Sequence, residues 1–355
     1  FEKVTRVRYR VDGSLFDAID FPRKLHPAVS SRIKIMANID ISEKRRPQDG
    51  RILIKTLNKN IDLRVSTLPT IYGEKVVLRL LDQSSAMVGL EKLGLGPDDR
   101  EIIDDIMAAP YGIILVTGPT GSGKSTTLYS VLERLSKPEV NIITVEDPVE
   151  YTMTGINQIQ VNEKAGLTFS EALRSILRQD PDKIMVGEIR DLETAQLAVR
   201  AALTGHLVLS TLHTNDAPSA SIRLIEMGIA PFLVSSSLLA VVAQRLVRKL
   251  CEECKQEYVI PDKTAEDLGL PKGTKAFKPV GCEVCRGTGY KGRSGIYEIM
   301  KVDEDIQNLI LEGVAGHRIQ HEAIRKGMRS LRDSGLVKVR DGVTSLEEVL
   351  QVTLY

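Results

Sequence analysis

Residues 112–125 read Gly112-Ile113-Ile114-Leu115-Val116-Thr117-Gly118-Pro119-Thr120-Gly121-Ser122-Gly123-Lys124-Ser125, and this stretch decides the fold. Apolar residues without polar alternation from Gly112 to Thr117 describe a strand buried on both faces. The turn after it has the GxxxxGK[ST] spacing, and a helical pattern runs on from Lys124 to Leu135. In such a strand–loop–helix unit, successive backbone N–H groups converge on phosphate oxygens and the helix N-terminus adds its positive dipole end. Gly118, Pro119, Thr120, Gly121, Ser122, Gly123, Lys124, Ser125 and Thr126 are therefore the candidate nucleotide-binding residues. Lys124 would neutralise the β and γ phosphates, and the Ser125 hydroxyl would take Mg²⁺. An incidental tight turn is disfavoured because both flanking elements are present.

Further buried strands are expected at Ile142–Val145, Lys183–Val186 and Leu207–Ser210, with helices at Asp98–Ala108, Ser170–Arg178 and Leu192–Leu203. Apolar strands alternating with helices specify an α/β fold, a parallel sheet covered on both faces. The run Ile229–Ala243, interrupted by three serines, reads as a core helix, being shorter than the roughly 20 residues that span a bilayer. Residues 1–90 mix alternating strands with a helix over Pro27–Asn38, where Val29, Ile33 and Met36 or Ala37 recur at helical spacing, and form a smaller α/β domain. A Ser- and Gly-rich linker lies at 83–97, and residues 91–355 form the nucleotide-binding domain. The chain starts at Phe1, already in strand-like alternation, and reads as beginning inside a domain.

A phosphate loop alone does not separate a motor from a kinase or a switch. Glu146 and Asp147 end one strand and Glu188 follows another, at the edge where open α/β sheets bind ligands. Carboxylates there hold Mg²⁺ or align a water; a helix cap or solvated loop is the alternative. His213 follows the next strand, within reach of a γ-phosphate, and His206 precedes it; structural histidines remain the alternative for both. Arg174 and Arg178 share one helical face as a candidate anion clamp; in the first domain Arg79 interrupts the apolar run 76–81, where a buried arginine would need a partner such as phosphate, and Arg64 sits on the polar face of 61–65. Internal carboxylate pairs are the competing account of these arginines. A guanidinium from another domain or subunit can stabilise transition-state charge at an open γ-phosphate, which favours a ring oligomer.

Cys251-Glu252-Glu253-Cys254 and Cys282-Glu283-Val284-Cys285 supply four thiolates, the closed tetrahedral set of a structural Zn²⁺ site. The spacer 255–281 is long for a zinc ribbon and suggests a loop between two knuckles, with the zinc subdomain spanning about 246–300 and helices over 301–355. Disulfides or unligated thiols are the alternatives, but two CxxC pairs suit a reducing compartment, the cytoplasm. The net charge of +1 and an aromatic content of 4% without Trp supply neither a general basic footprint nor stacking platforms for nucleic acid. Among 355 residues, 42% hydrophobic and 27% charged side chains are the balance of an ordinary two-domain globular chain.

Taken together, Arg46-Pro47-Gln48-Asp49-Gly50-Arg51, the phosphate loop, Ile143 through Tyr151 (with Glu146-Asp147-Pro148), Gly187-Glu188-Ile189-Arg190-Asp191, Thr204-Gly205-His206 and His213-Thr214-Asn215 resemble the successive boxes of the secretion ATPase superfamily. The resemblance covers essentially the whole chain and points to the type IV pilus assembly and type II secretion branches. It implies a RecA-like P-loop NTPase domain behind a smaller PAS-like domain, in a cytoplasmic homohexamer that binds ATP between the domains and hydrolyses it to move them. By the same resemblance Glu146 matches an Asp-box acid, and Glu188 the Walker B acid that with Ser125 holds Mg²⁺. His206 and His213 match a His box; Arg64, Arg79, Arg174 and Arg178 match arginines of the nucleotide interface. The tetracysteine site resembles extension and secretion motors and argues against the pilus-retraction branch. The implied partners are an inner-membrane platform protein and cytoplasmic membrane-complex proteins, the motor lying at the cytoplasmic face of that membrane without insertion. By the same resemblance, an amino-terminal region like that of extension ATPases is expected upstream of Phe1. Pilus extension is the first reading, type II secretion the second, and a zinc-ribbon nucleic-acid motor or binding module the reading from a different class.

Overall fold

The computed structural model describes residues 1–11, 13–55, 60–82 and 88–354. Its contacts divide the chain into two units, Phe1–Met87 and Val88–Tyr355.

In the first unit β1 (Val4–Val11) pairs antiparallel with β2 (Ser14–Pro22), and helix α1 (His26–Met36) leads to a separate antiparallel sheet of β3 (Gln48–Lys55), β4 (Asn60–Thr70) and β5 (Gly73–Asp82). Its core joins Ala37, Ile39, Ile52, Leu63 and Val65. Of the apolar positions expected on the buried face of α1, Ile33 packs against the core and Ala37 is buried in it, but Val29 and Met36 are exposed, and Ser30 and Lys34 are buried instead. The reason is electrostatic. Lys34 finds the carboxylate of Glu74 on β5 and donates to the Glu43 carbonyl at 2.7 Å, so its charge is satisfied inside.

In the second unit α2 (Pro97–Met107) precedes β6 (Gly112–Thr117), α3 (Lys124–Leu135), β7 (Ile142–Glu146), β8 (Asn157–Gln160), α4 (Phe169–Ile176), β9 (Lys183–Val186), α5 (Leu192–Leu203) and β10 (Leu207–Leu212). There follow α6 (Pro218–Glu226), α7 (Pro231–Ser237), β11 (Leu238–Leu250), β12 (Gln256–Val259), α8 (Asp262–Asp267), β13 (Lys275–Lys278) and β14 (Tyr290–Lys301), and then α9 (Glu304–Leu311), α10 (Gly316–Arg325), α11 (Leu331–Arg340) and α12 (Leu346–Thr353). A seven-stranded sheet in the order β14-β11-β6-β10-β9-β7-β8 is parallel throughout except where β14 joins β11. β12 and β13 form a small antiparallel ribbon of their own.

Alternate residues of the central strands feed two cores. Ile113 and Leu115 pack with Leu173, Ala198 and Leu224 from α4, α5 and α6. Ile114 and Val116 pack on the opposite face with Ile103 of α2 and Leu128 of α3. Period-2 strands covered on both sides require this division, and it explains the unbroken apolar runs.

Two expectations fail here for identifiable reasons. The run Ile229–Ala243 is not one helix: α7 ends at Ser237 and the chain becomes strand β11. The Ser236 and Ser237 hydroxyls donate back to the carbonyls of Phe232 and Leu233 at 2.6 and 2.7 Å, a bonding that weakens helices. The Val-rich segment after them lies between β6 and β14, where β-branched residues pack well. The expected linker is also packed from residue 88 onward, with Leu90, Leu93 and Leu95 buried. The Tyr297 hydroxyl donates to Leu93 O at 3.0 Å and Lys338 Nζ to Gly94 O at 2.6 Å. Residues 83–87 of that linker lie outside the described residues.

Candidate functional site: a phosphate loop and a tetrathiol cluster

The loop between β6 and α3 turns through Gly118, Gly121 and Gly123 at φ values of 147°, 83° and 92°, conformations that side chains with a Cβ disfavour. At Gly118 a Cβ would also meet Gln244 O at 2.6 Å, so the loop must be glycine there to lie against β11. Gly123 caps α3 with no side-chain acceptor. The first amides of the helix therefore remain free to bind an anion. Lys124 Nζ donates to Gly118 O at 2.8 Å and Pro119 O at 3.2 Å, curling back over the loop. Burial lowers its pKa, the field of Glu188 acts to raise it, and Arg245 lowers it further. An ammonium beneath glycine amides at a helix N-terminus fits the triphosphate of ATP, and the exposed Ser125 hydroxyl with Glu188 offers oxygen ligands suited to Mg²⁺.

The carboxyl ends of β7, β9 and β10 bring the next residues together. His213 Nε2 lies 3.4 Å from Glu188 Oε2. Arg190 pairs with the other Glu188 oxygen and approaches Asp147 at 3.9 Å. Beside Glu188 the Arg190 guanidinium is held above its usual pKa. Glu188 is thus the acid at the phosphate-loop edge, flanked by an imidazole and a guanidinium. No local pattern in Gly187-Glu188-Ile189-Arg190-Asp191 marks Arg190 as a partner of Glu188.

Glu146 lies elsewhere than expected. Its carboxylate is buried, accepting from Thr144 Oγ1 at 2.6 Å, Gln158 Nε2 at 3.1 Å and the Tyr129 hydroxyl. As the last residue of β7 it points to the same side as Thr144 and meets α3. Its donors are therefore interior side chains, a setting that braces β7 against the helix after the loop.

The two histidines stand at opposite ends of one strand. His206 precedes β10, its Nδ1 being 2.9 Å from Ala201 O and its carbonyl accepting from Gly112 N–H at 3.1 Å. Within the chain it faces the edge away from the phosphate loop, and His213 faces the near edge.

Nor do the arginines form one group. Arg174 donates to Glu171 Oε1 at 2.6 Å and also to Glu193, and Arg178 donates to Arg174 O at 2.9 Å. Arg174 is thus closed on carboxylates, whereas Arg178 lies past the end of α4 and bonds to the Arg174 carbonyl and the Ser175 hydroxyl, so the two do not share a helical face. In the first unit Arg51, Arg64 and Arg79 stand directly opposite one another across β3, β4 and β5. Arg79 is exposed rather than buried, and Arg51 is neutralised by Asp62 at 2.6 Å.

The four cysteine sulfurs lie within 4.8 Å of one another. Cys251–Cys282 and Cys254–Cys285 are separated by 3.8 Å and Cys282–Cys285 by 3.7 Å. A tetrahedron with metal–sulfur bonds of about 2.3 Å has edges of about 3.8 Å, so the spacing fits Zn²⁺ and excludes disulfides, whose sulfurs touch at about 2.0 Å. Burial raises the Cys285 thiol pKa, but the N–H groups of Cys282 and Gly289 aimed at its sulfur outweigh that and bring it to about 6. A thiolate formed that readily suits a metal ligand.

Thr117, Tyr129, Gln244 and Arg245 escaped the sequence reading. The one available signal was the polar pair Gln244-Arg245 inside the otherwise apolar run 238–247.

Residues 1–351 match the family model described as "Type II/IV secretion system protein". The type II secretion system protein HxcR of Pseudomonas aeruginosa is 54% identical over 353 residues, covering 99% of this chain and 72% of that protein. The type IV pilus assembly ATPase PilB of Thermus thermophilus is 52% identical over 353 residues, covering 98% of this chain and 40% of that longer protein. The crystal structure of the pilus retraction motor PilT with bound ADP superposes with a TM-score of 0.67 at 26% identity, over 99% of this chain and 93% of that one. The Legionella pneumophila ATPase DotB, at 19% identity, shares the fold with a TM-score of 0.71, over 99% and 91% of the two chains. With phosphate loop, Glu188–His213 pair and tetrathiol cluster on one such fold, the chain belongs to the type II/IV secretion system protein family.

Proposed function

We propose that this chain, a secretion-family ATPase, powers the assembly of type IV pili as a homohexamer at the cytoplasmic face of the inner membrane. The Glu188–His213 contact at the open edge of the phosphate loop carries the hydrolytic part of this reading. Loop amides and Lys124 bind the β and γ phosphates, and Ser125 and Glu188 hold Mg²⁺, which supplies charge neutralisation there. Glu188 orients the attacking water, and His213 contacts the γ-phosphate and registers its loss. Arg64 and Arg79 bring positive charge to the transition state. Zn²⁺ in the cysteine cluster braces the fold, since protein ligands fill all its positions. The motor works on an inner-membrane platform protein.

The tetracysteine site favours an extension or secretion motor over a retraction motor. A second reading, the type II secretion ATPase, is favoured by HxcR and by protein E of Dickeya dadantii, each 54% identical to this chain. Deleting the gene in its host separates the two. Loss of surface pili with intact protein secretion supports pilus assembly; retained pili with lost secretion overturns it.

A further inference from the structure

Phosphate-loop amides face their ligand only if the carbonyls of the same peptides are held on the other side. Here Gln244, 1% exposed on β11, donates its Nε2–H to Ser122 O at 2.7 Å from beneath the loop. The next residue, Arg245, is 3% exposed. It donates to Gln244 O at 3.1 Å and to the Asn215 carbonyl at 2.9 Å, reaching the loop that carries His213. From β6, the fully buried Thr117 hydroxyl accepts the Thr214 N–H at 2.9 Å and lies 3.1 Å from Leu212 O. Ser122 and His213 are thereby tied to neighbouring buried strands.

We propose that Thr117, Gln244 and Arg245 are positioning residues that lock the phosphate loop and the His213 loop into one rigid unit. This rests on the ATPase reading and deepens it. Gln244 turns the loop amides toward the phosphates before nucleotide arrives, so its effect falls on binding. Thr117 sets the height of the His213 loop over the γ-phosphate, so its effect falls on turnover. Arg245 joins the two arms through backbone carbonyls. Its buried positive charge also lies beneath the phosphates, 3.2 Å from where a Cβ on Gly118 would stand.

The test uses the whole chain, with steady-state hydrolysis and Mg·ADP titration on each variant and kcat expressed per titrated site. Gln244→Met keeps the side chain's shape without its donor and should weaken Mg·ADP binding and raise KM for ATP about tenfold, the effect of one buried hydrogen bond. Its kcat should stay within about threefold. Thr117→Val, an isostere suited to a strand, should lower kcat about tenfold with KM within about threefold. Constants within twofold of the parent in both variants overturn the proposal, as does parallel loss of sites and melting temperature at unchanged per-site kcat and KM, the mark of a purely structural role. If Gln244→Met does not fold, the outcome for Thr117→Val decides. A parent protein that hydrolyses no ATP would instead sink the ATPase reading itself, which Lys124→Ala, run alongside, keeps distinguishable.

Discussion

The Tyr129 hydroxyl, on the helix after the phosphate loop, donates to the buried carboxylate of Glu146 at the end of β7. The same oxygen accepts the Glu150 N–H at 3.1 Å, and the Tyr129 ring meets Tyr151 edge-on at 4.3 Å between centroids. Burial, then the hydrogen bond to Glu146 and its charge, raise the tyrosine pKa, so the phenol keeps its proton and remains a donor. Tyr129→Phe removes that donor while preserving the ring. The expected loss is about 1–3 kcal/mol, read by urea unfolding; a change below about 0.5 kcal/mol would show that the carboxylate does not depend on Tyr129.

Glu188 stands among groups suited to hydrolysis, next to His213 and Arg190. Glu188→Gln should reduce phosphate release by about two to three orders of magnitude, with binding of a nonhydrolysable ATP analogue within about tenfold. His213→Ala should give a smaller loss. Lys124→Ala should abolish turnover, and activity retained there would dismiss the phosphate-loop assignment.

Arg79 faces Arg64 across β4 and β5 on an exposed sheet surface. Its side chain is exposed, so Arg79→Ala should melt near the parent temperature while kcat falls about tenfold or more. Unchanged kcat with normal melting would remove Arg79 from the site.

The sulfur spacing predicts about one equivalent of zinc per purified, reduced chain. Cys282→Ser, or chelation during mild heating, should release the metal and lower the melting temperature by several degrees. A folded sample with under about half an equivalent would contradict a structural Cys₄ centre.

Glu298 on β14 is buried, accepting the N–H groups of Ala217 at 2.8 Å and Leu331 at 3.3 Å. Desolvation raises its pKa above the ordinary carboxylate value, although the Ala217 amide and Arg245 act the other way. A carboxyl with a raised folded pKa contributes stability that is complete below its unfolded pKa and declines as pH rises through the folded value. The unfolding free energy of the parent minus that of Glu298→Gln should therefore be larger at about pH 5 than at about pH 8. A difference independent of pH would mean that the site leaves the acid's titration unperturbed.

Much of the site was legible because its signals are contiguous. The phosphate loop needs only glycines and a lysine between a strand and a helix, and the paired CxxC motifs supply a complete ligand set. The burial of Lys34 on α1 and the helix-to-strand change at Ser237 were not legible locally. Lys34 is inside because Glu74 waits on another element, and Leu238–Leu250 is a strand because β6 and β14 flank it.

By itself, then, the sequence determined the α/β alternation, the phosphate loop and the two thiol pairs, all patterns carried by neighbouring residues and elementary stereochemistry. Only the tertiary structure separated the two candidate acids. Glu146 and Glu188 both sit at strand ends, but alternation along β7 turns Glu146 inward to Tyr129, whereas Glu188 lies past the end of β9 and meets His213. Only the tertiary structure, too, put Gln244 under Ser122, at a separation of 122 residues. A hydrogen bond of that range leaves no periodicity in the chain, because packing rather than local geometry selects the partner.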